Sequence, residues 1–192
     1  HRLAGARKRE KKIVNLDEYL ESHIQVYADP STGLNHFKIT IASGKDARDL
    51  QTLPKEVVFL IDSSLSIQRK RAEQFKGGVE RCLENLNPSD RFNILLFKST
   101  VEYLSPFSIP VTAASLGDAE EFLESLRPEE TTDVYKAVVE ALLLESKVDP
   151  SYIILLSDGR PTFGVTDSRD VINQITHING GKRPIFAFSG GV

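Results

Sequence analysis

The sequence predicts an α/β fold, in which a doubly wound, mostly parallel sheet with one antiparallel edge strand follows an N-terminal β-hairpin. Two observations support this prediction. From residue 55 onward, short apolar runs alternate with longer stretches whose apolar residues recur at spacings of three and four. This alternation is typical of parallel strands that crossover helices bury on both faces. Before residue 55, two shorter stretches flank a cluster of turn-forming residues.

The predicted strands of the main domain are continuous apolar runs of strand length. They lie at 57–61, 92–97, 152–156 and 185–188, with a weaker candidate at 101–104. Only three residues, Lys98 to Thr100, separate the runs 92–97 and 101–104. Because a parallel crossover needs a much longer connection, these two runs are expected to form an antiparallel hairpin at a sheet edge.

Each predicted helix has one apolar face. The first face extends from Ile67 to Leu86 and ends at Asn87 and Pro88. It includes Cys82, the single cysteine, which is expected to pack as a small apolar residue. Similar faces follow at 119–126, 134–142 and 171–178.

The first 54 residues are predicted to form an extension that precedes the main domain at 55–192. Residues 23–28 and 36–42 flank the sequence DPSTG at 29–33, a strong turn cluster, so a hairpin is expected. Residues 1–12 contain six Lys or Arg and one acidic residue. Such a run can contact a membrane surface or an acidic partner, although most are simply solvated.

Charge and composition exclude several classes of function. The basic run contributes +5 to a net charge of −3, which leaves −8 on the rest of the chain and argues against nucleic-acid binding there. A single cysteine excludes an internal disulfide and a cysteine-based zinc site. No stretch approaches the roughly 18 apolar residues of a membrane helix.

Polar residues follow two of the predicted parallel strands. Strand 57–61 leads into Asp62, Ser64 and Ser66, and strand 152–156 leads into Asp158. The carboxyl ends of parallel strands share one edge of the sheet, where ligands bind. Thr132 precedes the helical stretch 134–144, so its hydroxyl can turn toward the same edge.

These oxygens suit a hard divalent cation. Mg²⁺ takes six oxygen ligands at about 2.1 Å and keeps some of its waters. A site with few carboxylates, several hydroxyls and an open position therefore suits Mg²⁺ better than a Ca²⁺ cage. Mn²⁺ and Ca²⁺ are the alternatives.

The motifs DSSLS at 62–66, TD at 132–133 and LLSDGRPT at 155–162 resemble the von Willebrand factor A family, whose fold is Rossmann-like. They match the order and spacing of its metal-ion-dependent adhesion site, or MIDAS, over a region of roughly 55–192. The segment NPSDRFNILLF at 87–97 resembles the branch that contains inter-alpha-trypsin inhibitor heavy chains and many bacterial surface proteins. Leu65 stands where many relatives have Gly, and Ile67 where they often have Met.

The resemblance implies a role for each residue of the site. Ser64, Ser66 and Thr132 would contact the metal through their hydroxyls, while Asp62 and Asp158 would hydrogen-bond its waters or ligate it. The sixth position would hold an Asp or Glu side chain of a protein partner, in cell adhesion or another interaction, without catalysis. Ser63 and Asp133 would support the loops.

The resemblance also implies an architecture and a location. The family's last strand and helix have no counterpart before Val192, so the domain is expected to be truncated or completed by the N-terminal segment. A bacterial protein that acts outside the cytoplasm or at the cell surface is expected, with membrane proximity supplied by the full-length protein.

Five other interpretations compete with a metal-dependent adhesion site. Ser64, Ser66 and Thr132 could each be a helix cap, but five matched positions together favour a metal site. A scaffold whose metal is structural or vestigial is the main alternative. A haloacid dehalogenase-like phosphotransferase needs an Asp where Ser64 stands. A P-loop and a hydrolase triad lack, respectively, the upstream glycine and a histidine in the strand-end loops.

Overall fold

The computed structural model describes residues 20–44, 53–65, 67, 69–126, 131–158 and 161–189. The chain divides into two compact units, His1–Leu53 and Pro54–Val192. The basic run at 1–12 and the predicted ligand Ser66 lie outside the described residues. No described helix is both long and apolar enough to cross a membrane.

The N-terminal unit contains the predicted hairpin. Strands β1 (Leu20–Ala28) and β2 (Asn35–Ser43) pair antiparallel. In the turn, the Asp29 carboxylate accepts hydrogen bonds from the Ser31 N–H and hydroxyl at 2.8 and 2.6 Å. Gly33 adopts a φ of 69°, a left-handed conformation that glycine reaches without steric cost. Every residue of both strands is exposed, so the backbone ladder and cross-strand pairs hold this hairpin.

The second unit is built on a six-stranded sheet in the order β5-β4-β3-β7-β8, with β6 also paired to β4. The strands are β3 (Glu56–Asp62), β4 (Arg91–Phe97), β5 (Val101–Tyr103), β6 (Ile109–Pro110), β7 (Ser151–Leu156) and β8 (Ile185–Phe188). Strands β3, β4, β7 and β8 are parallel, whereas β5 and β6 run antiparallel to β4. The predicted mostly parallel sheet and its antiparallel edge are confirmed. Strand β6 was not predicted, because two residues are too few to form a pattern.

Helices cover both faces of the sheet, as predicted. They are α1 (Arg69–Glu84), α2 (Ala113–Glu124), α3 (Val134–Leu143) and α4 (Ser168–Asn179). Alternate residues of the fully buried strand β3 point to opposite faces. Val57, Phe59 and Ile61 belong to a core with α1 and α2, whereas Val58 and Leu60 belong to a core with α3.

Two expectations about buried helix faces were wrong. Cys82 is exposed and does not pack in the core. Val79 and Leu83 take the inward positions of α1, and Cys82 lies about 100° around the helix from Leu83. On α4 only Val171 is buried, and Ile172 is exposed for the same angular reason.

A buried acidic residue holds together the amino-terminal ends of the strands, opposite to the ends that carry the motifs. Glu56, the first residue of β3, is 1% exposed, and Arg183 is 8% exposed. The Glu56 carboxylate accepts hydrogen bonds from the Ser108 hydroxyl (2.8 Å), the Lys147 N–H (2.9 Å), the Ser151 hydroxyl (3.0 Å) and the Ser146 hydroxyl (3.3 Å). The Arg183 guanidinium lies 3.8 Å from Glu56 and also donates to Ala141 O and Leu144 O.

Candidate metal centre

The sheet topology brings the predicted strand-end residues to one edge. Asp62 is the last residue of β3, and Ser157 and Asp158 follow β7 directly. Strands β3 and β7 are parallel neighbours in which Ile61 lies opposite Leu156. The next residue on each strand, Asp62 and Ser157, therefore emerges at the same edge.

The Asp62 carboxylate joins three segments of the chain. It is fully buried. Oδ1 accepts hydrogen bonds from the Ser64 N–H at 2.9 Å and from the Thr132 hydroxyl at 3.4 Å. Oδ2 accepts one from the Ser157 hydroxyl at 2.6 Å. Three of the residues predicted from sequence, Asp62, Ser64 and Thr132, thus meet around one carboxylate.

The main-chain N–H and carbonyl of Thr132 are both hydrogen-bonded. Its N–H donates to the Thr162 hydroxyl at 2.9 Å, and its carbonyl accepts from the N–H groups of Thr162 and Phe163, both at 3.1 Å. The following residue, Asp133, caps helix α3 by accepting from the Lys136 N–H at 2.9 Å. The Asp133 N–H donates to Lys98 O. The Thr132 hydroxyl is therefore fixed at the helix N-terminus rather than used as the cap itself.

Gly164 allows the loop after Thr162 to approach Asp133. Its φ is 71°, and a Cβ at this position would lie 2.5 Å from the Asp133 Oδ2 atom. Any larger residue would displace the carboxylate that caps α3. Neither Thr162 nor Gly164 was predicted to belong to the site, although Thr162 lies within the motif at 155–162.

The loop after β3 is also anchored from its other side. Ser63 donates through both its N–H and its hydroxyl to Phe97 O, at 2.9 Å each. The Ile67 N–H donates to Ser64 O at 3.1 Å, which closes a tight turn. Ser63 and Asp133 thus support the loops, as predicted.

Of the two remaining predicted ligands, the structure describes only Asp158. Asp158 is half-buried and directly follows Ser157, whose hydroxyl reaches Asp62. Ser66 lies outside the described residues. Within the described part of the chain, no group of three or more His, Cys, Asp or Glu side chains could hold a metal ion. The donors at this edge are hydroxyls with few carboxylates, a set that fits a hard cation such as Mg²⁺ rather than a soft one.

Comparison with known proteins decides the family. A model of the von Willebrand factor type A domain matches residues 55–191. The chain belongs to the von Willebrand factor type A domain family. It is 30% identical over 151 residues to human inter-alpha-trypsin inhibitor heavy chain H4, a match that covers 74% of this chain and 16% of that protein. The chain thus spans about a sixth of the length of this relative, and the resemblance to that branch of the family is confirmed.

Solved structures show the same fold at low sequence identity. A von Willebrand factor type A protein from Catenulispora acidiphila has a TM-score of 0.63 at 13% identity, covering 88% of this chain and 40% of that one. Proximal thread matrix protein 1 from the mussel byssus, with a zinc-occupied MIDAS motif, has a TM-score of 0.56 at 14% identity. That match covers 73% of this chain and 39% of the mussel protein.

Proposed function

We propose that this domain binds a divalent cation, Mg²⁺ in the first instance, and uses it to hold an Asp or Glu carboxylate of a protein partner. The proposed ligands are Asp62, Ser64, Ser66, Thr132 and Asp158. One observation supports the proposal above all others. The buried Asp62 carboxylate lies within hydrogen-bond distance of Ser64 and Thr132, which come from segments 68 residues apart.

The hydroxyl and carboxylate residues would have different roles at this site. The hydroxyls of Ser64, Ser66 and Thr132 would supply neutral oxygen ligands, and Asp62 and Asp158 would orient bound waters or ligate the cation. When bound, a cation with few carboxylate ligands keeps enough positive charge to attract an acidic side chain. Outside residues 1–12 the chain has a net charge of −8, so no excess of basic residues competes for that role.

We also propose that the domain binds without catalysis and acts outside the cytoplasm. Ser157 hydrogen-bonds to Asp62, but His23 and His36 lie on the N-terminal hairpin and His177 lies on α4. The histidine that a serine nucleophile needs as its base is therefore absent from the described strand-end loops. The proposed location rests on the resemblance of the segment at 87–97 to the branch of the family that contains many bacterial surface proteins.

A scaffold role is the second candidate, and one observation favours it. Ser157, Thr132 and Ser64 already satisfy both oxygens of the Asp62 carboxylate within the protein. Such a closed network can hold the three loops together without a cation. In that case the domain would assemble with its partners independently of metal.

Calorimetric titration of Mg²⁺ and Mn²⁺ into chelator-stripped protein tests the proposal. Thr132→Val replaces the hydroxyl by a methyl group of similar size, and Asp62→Ala removes the central carboxylate. Thr112→Val is the matched control, because Thr112 is also a threonine at a helix N-terminus, that of α2. We expect saturable binding in the wild type and in Thr112→Val, and its loss in the two site variants.

The absence of binding by the wild type at millimolar Mg²⁺ and Mn²⁺ would contradict the proposal and favour the scaffold. Equal affinity in Thr132→Val and Thr112→Val would remove Thr132 from the set of ligands. A partner interaction that persists in excess chelator would likewise favour the scaffold.

A further inference from the structure

Two large apolar side chains lie exposed beside the proposed metal centre. Leu65 and Phe163 are each 56% exposed. Leu65 directly follows Ser64, and the Phe163 N–H donates to Thr132 O at 3.1 Å. Each apolar residue is therefore a covalent or hydrogen-bonded neighbour of a proposed ligand, and the two come from different loops.

The backbone holds both side chains in these outward positions. The turn closed by the Ile67 N–H and Ser64 O leaves Ser64 and Ile67 buried, while Leu65 between them is exposed. On the other loop, the N–H groups of Thr162 and Phe163 share the carbonyl of Thr132 as acceptor. Because the main chain is fixed at both places, a partner that covers these side chains orders little additional backbone on binding.

We propose that Leu65 and Phe163 form an apolar rim that selects partner segments in which an apolar side chain lies close to the acidic residue. This inference rests on the proposed function, since it deepens the description of the same site. A carboxylate bound to a cation is common to every exposed Asp and Glu, so it cannot discriminate between partners. The rim would supply that discrimination, because burying apolar groups on both sides excludes water around the central polar contact.

The spacing within an extended partner segment sets the position of the apolar residue. In extended chains, side chains two positions apart point to the same side and lie about 6.6 Å apart. Leu65 adjoins Ser64 in sequence, and a backbone hydrogen bond joins Phe163 to Thr132, so an extended segment bound through its acidic residue can reach the rim only with a side chain on the same side as that residue. The preferred partner therefore has an aliphatic or aromatic residue two positions before or after its acidic residue.

Synthetic peptides test this preference against the full chain loaded with Mg²⁺. Each peptide has one Asp in a Gly and Ser background, and a Leu or a Ser two positions away. We expect the wild type to bind the Leu peptides roughly tenfold more tightly than the Ser peptides, as a contact of one apolar side chain supports. Leu65→Ser with Phe163→Ser should reduce this ratio to near one, without a change in Mg²⁺ affinity by calorimetry.

Leu143→Ser is the matched control. Leu143 is 73% exposed and is the last residue of α3, at the end of the helix remote from Thr132. This variant should keep the preference of the wild type. Unchanged thermal unfolding of both variants would show that the substitutions leave the fold intact.

The outcomes separate the rim from the site on which it depends. If the wild type binds Mg²⁺ and Asp peptides but treats Leu and Ser peptides equally, the rim is overturned and the metal-dependent function stands. A preference that survives the double substitution overturns the rim in the same way. Failure of the wild type to bind Mg²⁺, or to bind any Asp peptide with Mg²⁺ present, overturns the proposed function itself.

Discussion

Substitution of Glu56 by Ala should strongly destabilise the second unit. Glu56 is buried at the start of β3, where it accepts four hydrogen bonds and faces the buried guanidinium of Arg183. Removal of one partner of a buried ion pair typically costs about 3–5 kcal/mol, since the other charge stays buried. Two carbonyls, Ala141 O and Leu144 O, still accept from Arg183. We therefore expect a loss near the lower bound, about 3 kcal/mol.

Urea unfolding followed by circular dichroism, in metal-free buffer, measures this loss. Lys147→Ala is the matched control, because Lys147 donates to Glu56 through its backbone N–H and its side chain is exposed. We expect the control to change the free energy of unfolding by less than about 0.5 kcal/mol. A loss below about 1 kcal/mol in Glu56→Ala would refute the argument from the buried pair.

A double-mutant cycle separates the ion pair from the hydrogen bonds. Arg183→Met alone leaves Glu56 buried without its cation, whereas the combined variant leaves neither charge behind. We expect the double variant to lose clearly less stability than the sum of the two single variants. Glu56 and Asp62 lie six residues apart on β3, a distance of about 20 Å, so Mg²⁺ affinity should not change.

Three further predictions concern the metal centre and the response to acid. Gly164→Ala should lower the free energy of unfolding in urea by about 1 kcal/mol more than Gly180→Ala, because only the Cβ at position 164 displaces the capping carboxylate of Asp133. Gly180 is the matched control, since it is also at positive φ but has nothing within 4 Å of its Cβ. Mg²⁺ at a hundred times its dissociation constant should stabilise the wild type by about 2.7 kcal/mol in thermal unfolding and leave Asp62→Ala unchanged. Burial acts to raise the pKa of Asp90, but hydrogen bonds from the Lys55 ammonium and from the N–H groups of Asn87 and Lys55 outweigh it and lower the pKa. The stability that Asp90 contributes should thus be full above about pH 4 and disappear as the pH falls through the lowered pKa, so Asp90→Asn should flatten the acid limb of a pH-dependent unfolding curve. An unchanged acid limb in that variant, or equal stability of Gly164→Ala and Gly180→Ala, would contradict the corresponding argument.

The sequence by itself determined the fold class and the edge at which the candidate site lies. Continuous apolar runs such as 57–61 identify buried parallel strands, and such strands end at one edge of a sheet. Asp62 and Ser64 therefore had to lie at that edge, and Thr132 could be expected beside them because a helix begins two residues later. These properties follow from local pattern and topology alone.

Only the tertiary structure decided which groups contact one another across the chain. The hydrogen bond between Ser157 and Asp62 spans 95 residues, and the buried network of Glu56 joins five separate positions. Periodicity also left Cys82 on the apolar face of α1, whereas packing placed Leu83 inward and Cys82 outward. A sequence pattern gives the face of an element on which a residue lies. Its contact partner depends on how the faces of all the elements close together in three dimensions.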